Sequence, residues 1–221
     1  IKDKALYKNR LMMLDIVNQN NWKRPIYFTG GSFGDDDYIW MKDYLQLDGM
    51  CFKLVPVKTP VKSPNPMEMG YIDSDKMFGI VMKWDWGNSE SPAIYHDPET
   101  RKNSISYRTN LARLAETLIN ENRLGKAEKV IDLAMEKMPL EYFGYYSLLE
   151  PFAKGYYAVG KKEKAKTMLT KLIKKQQENL AYYNTWKPSN QNFSAMDIMM
   201  DIEQYRSFLE IAKYGKDLEF Y

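Results

Sequence analysis

Cysteine and histidine, which carry much of the chemistry of enzymes and metal sites, are almost missing from this sequence. Its 221 residues include one cysteine, Cys51, and one histidine, His96. An internal disulfide, a multi-thiolate zinc site and a two-histidine metal site are therefore excluded. A nucleophile paired with a histidine would have to use His96. We accordingly expect neither a cofactor nor a bound metal ion.

Long apolar runs and an excess of one charge are missing as well. No run approaches the roughly 18 apolar residues that a membrane-spanning helix needs. The net charge of +3 comes from 32 basic and 29 acidic side chains, and no basic stripe alternates with stacking aromatic residues. This balance predicts that nucleic acid is not a partner.

The first 105 residues have the pattern of a small α/β domain. Helices are predicted at 5–19, at Tyr38–Leu45 with Gly49 at its end, and after Asp73. Strands are predicted between them, at Pro25–Thr29 and Cys51–Val57. Short connections in this order favour a layer in which the two strands run parallel. Three prolines make residues 58–69 an extended connector within this domain.

Residues 106–221 have the pattern of a helical domain. After a loop from Asn88 to Ser106, helices are predicted at 106–122, 125–139, 140–159, 161–177 and 194–214. Short glycine-containing turns would make successive helices antiparallel, and the final helix would cover the open end of the stack. The chain as a whole is predicted to be α+β and mostly helical, with domains at 1–105 and 106–221.

The segment from Arg108 to Pro139 resembles one tetratricopeptide repeat. Small residues recur where its two helices would pack closely, at Ala115, Ala127 and Ala134. A second copy follows at a longer spacing, with Ala165 in the place of Ala127. Ala112 and Glu116 stand where peptide-binding repeats carry a carboxylate clamp of lysine and asparagine. The resemblance therefore implies a structural or protein-docking role for residues 108–177.

A second resemblance covers most of the chain. It is carried by Trp22–Phe28, Tyr44–Met50, Lys53–Thr59, Tyr95–Ser104 and Glu136–Pro139. These segments look like the soluble C-terminal region of a bacterial family of polytopic membrane proteins, labelled as a domain of unknown function and similar to protein O-mannosyltransferases. The resemblance implies an upstream membrane domain in the same polypeptide that would carry any transferase chemistry. It also implies a location at the periplasmic face of the bacterial inner membrane.

Two places in the sequence are candidates for small-molecule chemistry. Gly30, Gly31 and Ser32 follow a predicted strand, where backbone amides could hold a phosphate or a sugar. A plain glycine turn explains the same residues, and the adjacent aspartates would repel an anion. His96 is a candidate for acid-base catalysis because Asp97 could orient its imidazole. A hydrogen-bonded turn is the alternative.

The helical half is unusually rich in aromatic residues. The candidates for a binding surface there are Tyr145, Tyr146, Tyr156, Tyr157 and Trp186. Such rings can anchor a peptide or a glycan, although core packing explains many of them equally well. Seven lysines between Lys161 and Lys175 form a solvated face that could also contact an anionic membrane surface.

Three functions remain open from the sequence. The first is a non-catalytic accessory region that docks an acceptor or partner protein beside a membrane-embedded glycosyltransferase. The second is a domain that binds a sugar or nucleotide-sugar and contributes directly to transfer. The third is a purely structural lid on the membrane domain.

Overall fold

The computed structural model describes residues 7–29, 39–60 and 69–217, and the chain divides into two compact units, Ile1–Asp85 and Trp86–Tyr221. In the described residues, the first unit contains a three-stranded sheet with helices, and the second unit is helical. The prediction of a mostly helical α+β protein is confirmed.

The first unit is built around a short antiparallel sheet. Its elements are α1 (Lys8–Asn20), β1 (Tyr27–Thr29), a 3-10 helix (Ile39–Tyr44), β2 (Leu45–Asp48), β3 (Cys51–Leu54) and α2 (Ser74–Val81). The strand order is β1-β3-β2. As predicted, Asp73 begins the last helix, because its carboxylate accepts a hydrogen bond from the Lys76 amide at 3.1 Å.

The predicted parallel arrangement of the strands is wrong. Phe52 of β3 lies opposite Phe28 of β1 and opposite Leu47 of β2, and both pairings are antiparallel. The helix expected to run through Leu45 ends at Tyr44, and the next four residues form β2. Gly49, with a φ of 72°, lies in the two-residue turn that folds β3 back onto β2. A hairpin of this kind joins antiparallel strands, whereas a parallel pair needs a long crossover.

Burial explains why the residues after Tyr44 form a strand. Leu45, Gln46 and Leu47 are all buried. Leu45 belongs to a core cluster on which α1 packs. The outer edge of β2 is also paired, since the Leu47 amide donates to the Tyr71 carbonyl at 2.7 Å and the Tyr71 amide donates to the Leu45 carbonyl at 2.8 Å. These tertiary contacts override the local helical pattern.

The second unit is a succession of packed helices. They are α3 (Pro98–Asn120), α4 (Leu124–Lys137), α5 (Leu140–Phe143), a 3-10 helix (Tyr146–Leu149), α6 (Glu150–Ala158), α7 (Lys162–Asn184), α8 (Pro188–Phe193) and α9 (Ala195–Tyr214). Helix α3 packs on α4 and α6, and α7 packs on α6 and α9. The tetratricopeptide resemblance stays a prediction.

Three helix boundaries in the second unit differ from the sequence-based expectation, one of them the end of α7, which continues to Asn184 instead of stopping at 177. Helix α3 begins at Pro98 within the predicted loop, because the Asp97 carboxylate accepts hydrogen bonds from the Glu99 and Thr100 amides at 2.8 and 3.0 Å. The helix expected over 140–159 is interrupted, since Gly144 and Tyr145 have φ values of 65° and 51°. Positive φ values cannot continue a right-handed helix.

A buried arginine stabilises this interruption. The Arg108 side chain has no exposed surface, and its guanidinium donates hydrogen bonds to the carbonyls of Gly144 and Met138, the latter at 2.9 Å. Both carbonyls stand where a helix has ended and has no internal donor to offer them. Burial lowers the pKa of Arg108 to about 10, so the group remains charged at neutral pH.

A buried carboxylate holds the residues after α9 against α6 and α7. Asp217 is fully buried, with its Oδ1 at 3.2 Å from Lys162 Nζ and 3.4 Å from Lys166 Nζ. Its Oδ2 accepts a hydrogen bond from the Tyr157 hydroxyl at 3.2 Å. Burial alone would raise the pKa of Asp217, but the two lysines outweigh it and the pKa is lowered. Burial and the adjacent carboxylate raise the pKa of Tyr157 to about 12.

This carboxylate makes stability depend on pH in a defined direction. Because folding lowers the pKa of Asp217, its stabilising effect is complete above the unfolded-state pKa of about 3.9 and disappears as the pH falls through the lower folded-state value. We expect Asp217→Asn to lower the melting temperature at pH 7, with the difference shrinking once the pH is below about 4. Thermal melts across this pH range measure the effect. The exposed carboxylate of Glu210 provides the control, since Glu210→Gln should change little at any pH. Equal melting temperatures for Asp217→Asn and the unchanged chain at pH 7 would contradict the expectation.

Candidate binding groove

The second unit contains a groove bordered by α4, α5, α6 and α7. Its volume is about 520 Å³. The lining is mainly apolar on the floor, with Met135, Pro139, Leu140, Leu149, Tyr156 and Met168, and polar at the rim, with Glu141, Glu163, Lys164, Thr167 and Lys171. An apolar floor with a few polar groups at its edge is the usual composition of a binding site.

The break after α5 shapes this groove. Helix α5 has four residues and ends at Gly144, after which the chain turns into the 3-10 helix. Leu140 and Leu149 thus reach the groove from two separate short helices. Since Arg108 bonds the carbonyl of Gly144, it supports one side of the groove without lining it.

Ion pairs fix the polar rim. Lys164 Nζ lies 2.7 Å from Asp132 Oδ2 and 3.0 Å from Glu128 Oε1, and the Tyr156 hydroxyl donates to Asp132 Oδ1 at 2.8 Å. At another part of the rim, Lys171 Nζ lies 2.9 Å from Glu141 Oε1. These contacts join α7 to α4 and α5 along the rim.

The electrostatics of the rim suit binding better than proton transfer. Burial and the hydrogen bond to Asp132 raise the pKa of Tyr156 far above its usual range. The same carboxylate raises the pKa of Lys164, which therefore stays protonated. A general acid or base works best with a pKa near the operating pH, and these shifts move both groups away from neutrality. In the described stretches of the chain, no group of three or more metal-ligating side chains comes together.

The five aromatic candidates lie in different surroundings. Tyr156 alone among them lines the groove, and its ring is buried. Tyr157 bonds Asp217, and Tyr145 and Tyr146 lie at the break before α6. Trp186 follows the end of α7, where its ring centroid lies 5.1 Å from that of Tyr183 and 5.5 Å from that of Tyr182. Their role as binding residues stays a prediction.

His96 occupies a packed position just before α3. Its Nε2 lies 2.9 Å from the Ser89 carbonyl oxygen, and its ring centroid lies 4.5 Å from that of Phe143. The Asp97 carboxylate, expected to orient the imidazole, caps α3 instead. This geometry gives His96 a structural contact, and a catalytic role for it stays a prediction. Gly30, Gly31 and Ser32 lie outside the described residues.

Most of the lysines considered for membrane contact are paired with carboxylates. Ion pairs are formed by Lys161, Lys162, Lys164, Lys166, Lys171 and Lys175. Four of these lysines bind Glu128, Asp132 or Asp217, which lie on or beside neighbouring helices. The lysine face therefore helps to hold the helices together.

The fold and the groove define an α+β protein whose helical unit carries a groove with an apolar floor and a charged rim. The family model of the TMEM260-associated domain 2 matches residues 1–76. That range includes three of the segments that carry the membrane-protein resemblance, and the match supports the link to a glycosyltransferase-like membrane protein. The helical unit lies outside the match. No curated protein and no solved structure matched the chain. Within the described ranges, no helix is long and apolar enough to span a membrane.

Proposed function

We propose that this chain is a non-catalytic accessory region of a membrane-embedded glycosyltransferase-like protein. In this proposal, the groove of the helical unit docks an extended peptide segment of an acceptor or partner protein. The upstream membrane domain is the other partner, at the periplasmic face of the bacterial inner membrane. The family match on residues 1–76 supports the membrane-protein setting.

The composition of the groove carries the docking half of the proposal. Its floor offers Met135, Leu140 and Met168 to apolar side chains, while its rim carries charges of both signs. Peptides bind such grooves by placing alternate side chains in apolar pockets and using polar groups at the edge. Stacking of a sugar ring needs an open aromatic face, and the groove does not offer one at Tyr156, whose ring is buried and whose hydroxyl is already bonded.

A substitution that fills the groove tests this proposal. Thr167 is exposed and lines the groove, so Thr167→Trp should block it without disturbing the core. Thr170 is exposed on the same helix outside the groove, and Thr170→Trp is the matched control. A random peptide library is selected on the 221-residue chain, and the recovered peptides are titrated by calorimetry. We expect Thr167→Trp to weaken binding at least about tenfold, and Thr170→Trp to leave it unchanged.

The opposite results separate the alternatives. Peptides that bind Thr167→Trp as well as the unchanged chain would place docking elsewhere. Saturable binding of glycans or nucleotide-sugars, with no selectable peptide, would favour the sugar-binding function. If neither class of ligand binds, the structural-lid function is the remaining candidate.

A further inference from the structure

A second cleft lies in the first unit, between helix α2 and the turn that joins β2 to β3. Its volume is about 590 Å³. Its lining combines an aromatic ring, a glycine and side chains of both charges, and includes Asp48, Asp75, Lys76, Gly79, Lys83 and Trp84. We call it the Trp84 cleft. It lies within the first unit and shares no residue with the groove of the second.

Gly79 lies inside α2, where the packing of the chain gives no reason for a glycine. It is exposed, and a Cβ atom at this position would have no neighbour within 4 Å. Glycine destabilises a helix interior relative to alanine, and a common reason to find it there is the close approach of another group to the backbone. No group of the described residues makes that approach, and Gly79 lines the cleft. The missing side chain leaves the floor of the cleft open to a ligand.

The hairpin turn holds Trp84 at the side of this cleft. Gly49 lies against the indole, since a Cβ atom added there would be 2.8 Å from Trp84 Cζ2 and 3.5 Å from Trp84 Cε2. The Trp84 ring is partly buried and also lines the cleft. The indole is therefore positioned by backbone on one part of its surface and borders the cleft with another. A ring of this kind can stack on an apolar face of a ligand.

The polar groups of the cleft provide both hydrogen-bond acceptors and donors. They are two carboxylates and two ammonium groups, from Asp48, Asp75, Lys76 and Lys83. Gln46 Nε2 donates to Asp48 Oδ1 at 2.6 Å, and Lys76 Nζ lies 2.9 Å from Asp73 Oδ2. A bound anion would lie beside the carboxylates and a bound cation beside the ammonium groups, so the cleft favours neither charge. It suits an uncharged ligand whose hydroxyl groups both donate and accept.

We propose that the Trp84 cleft binds a neutral sugar ring. The face of a pyranose that carries C–H groups stacks on Trp84, and the edge of the ring approaches the backbone of α2 at Gly79. Its hydroxyl groups donate to the carboxylates and accept from the ammonium groups. This site does not depend on the groove, and it stands whether or not the groove docks a peptide.

A leucine in place of Gly79 tests the site without disturbing the core. An array of neutral saccharides of glucose, galactose, mannose and N-acetylglucosamine is screened with the 221-residue chain, and the best ligand is titrated by calorimetry. We expect Gly79→Leu to weaken binding at least about tenfold, because leucine occupies the floor of the cleft. The melting temperature should not fall, since leucine is a better helix former than glycine.

Gly125 provides the matched control for this substitution. It is also an exposed helix residue with open space around it, and it lies outside both the cleft and the groove. Gly125→Leu should leave saccharide binding unchanged. Thr167→Trp should leave it unchanged as well, which separates this site from the groove.

Two substitutions of Trp84 test the stacking. Trp84→Phe retains an aromatic face, so it should weaken saccharide binding less than Trp84→Leu does. Both variants shorten the side chain beside Gly49, so the comparison between them cancels the loss of that contact. Equal weakening by the two variants would contradict stacking on this ring.

Three further results would overturn the inference. The first is that no saccharide of the array binds, and the second is that Gly79→Leu binds the saccharide as tightly as the unchanged chain. The third is that Gly79→Leu, but not Thr167→Trp, abolishes binding of the peptides selected on the chain. In that case the occupant of the Trp84 cleft is a peptide.

Discussion

Replacing Arg108 with methionine should destabilise the second unit by about 3 kcal/mol, the joint largest effect that we expect from a single substitution. The guanidinium is fully buried and donates to the Gly144 and Met138 carbonyls. A hydrogen bond from a charged donor contributes roughly 1.5–3 kcal/mol, and an unpaired buried carbonyl costs about 1–3 kcal/mol. The lower desolvation cost of methionine offsets part of this loss. Denaturant unfolding followed by circular dichroism measures the difference.

The control for Arg108 is an arginine whose side chain is exposed to solvent. Arg206 is largely exposed and lies 3.8 Å from Glu203, so Arg206→Met should change the free energy of unfolding by less than about 0.5 kcal/mol. The melting temperature of Arg108→Met should fall by about 10 °C, while that of Arg206→Met stays nearly constant. Similar melting temperatures for the two variants would mean that the buried hydrogen bonds contribute nothing net.

Replacing Gly155 with leucine should also destabilise the second unit by about 3 kcal/mol. A Cβ atom at this position of α6 would lie 2.7 Å from Ile131 Cδ1 and 3.7 Å from Ile119 Cδ1. Ile131 is fully buried on α4, so it has little room to withdraw. The larger side chain would therefore push α6 away from α4. Because Tyr156 is the next residue, loss of peptide binding in the groove should accompany the loss of stability.

Replacing a glycine that has no close neighbours with leucine should change the stability in the opposite direction. Gly125 is exposed in the first turn of α4, and a Cβ atom there would have no neighbour within 4 Å. Gly125→Leu should stabilise the chain by about 0.5–1 kcal/mol, because glycine is a poor helix former. Parallel denaturant titrations of the two leucine variants make the comparison. Destabilisation by both would show that leucine itself, rather than the close contact with Ile131, is responsible.

The sequence predicted most of the helices because their signals are local. The periodicity of Leu111, Leu114 and Leu118 marks α3, and these side chains are buried as expected. Asp73 was identified as the cap of α2 from its position before an apolar run. In both cases the residues that determine the structure lie within a few positions of one another.

The sheet and the groove were not predictable in the same way. Leu45–Asp48 follow a helical pattern, and only their pairing with β3, their burial and the backbone bonds to Tyr71 make them a strand. The groove joins Met135, Leu140 and Met168, which periodicity assigns simply to a core. The partners of Arg108 and Asp217 are also distant in sequence. A one-dimensional pattern contains no information on which helix ends will meet.

By itself, the sequence determined the α+β class, most helices of the second half, and the shortage of residues for metal or nucleophilic chemistry. Only the tertiary structure decided the antiparallel sheet, the interrupted helix around Gly144, the groove, and the Trp84 cleft. The physical reason is that helix formation depends on neighbours three and four residues apart, which the sequence displays directly. Strand direction, buried ion pairs and the exposure of a helix face depend on contacts between distant segments, and those exist only once the chain is folded.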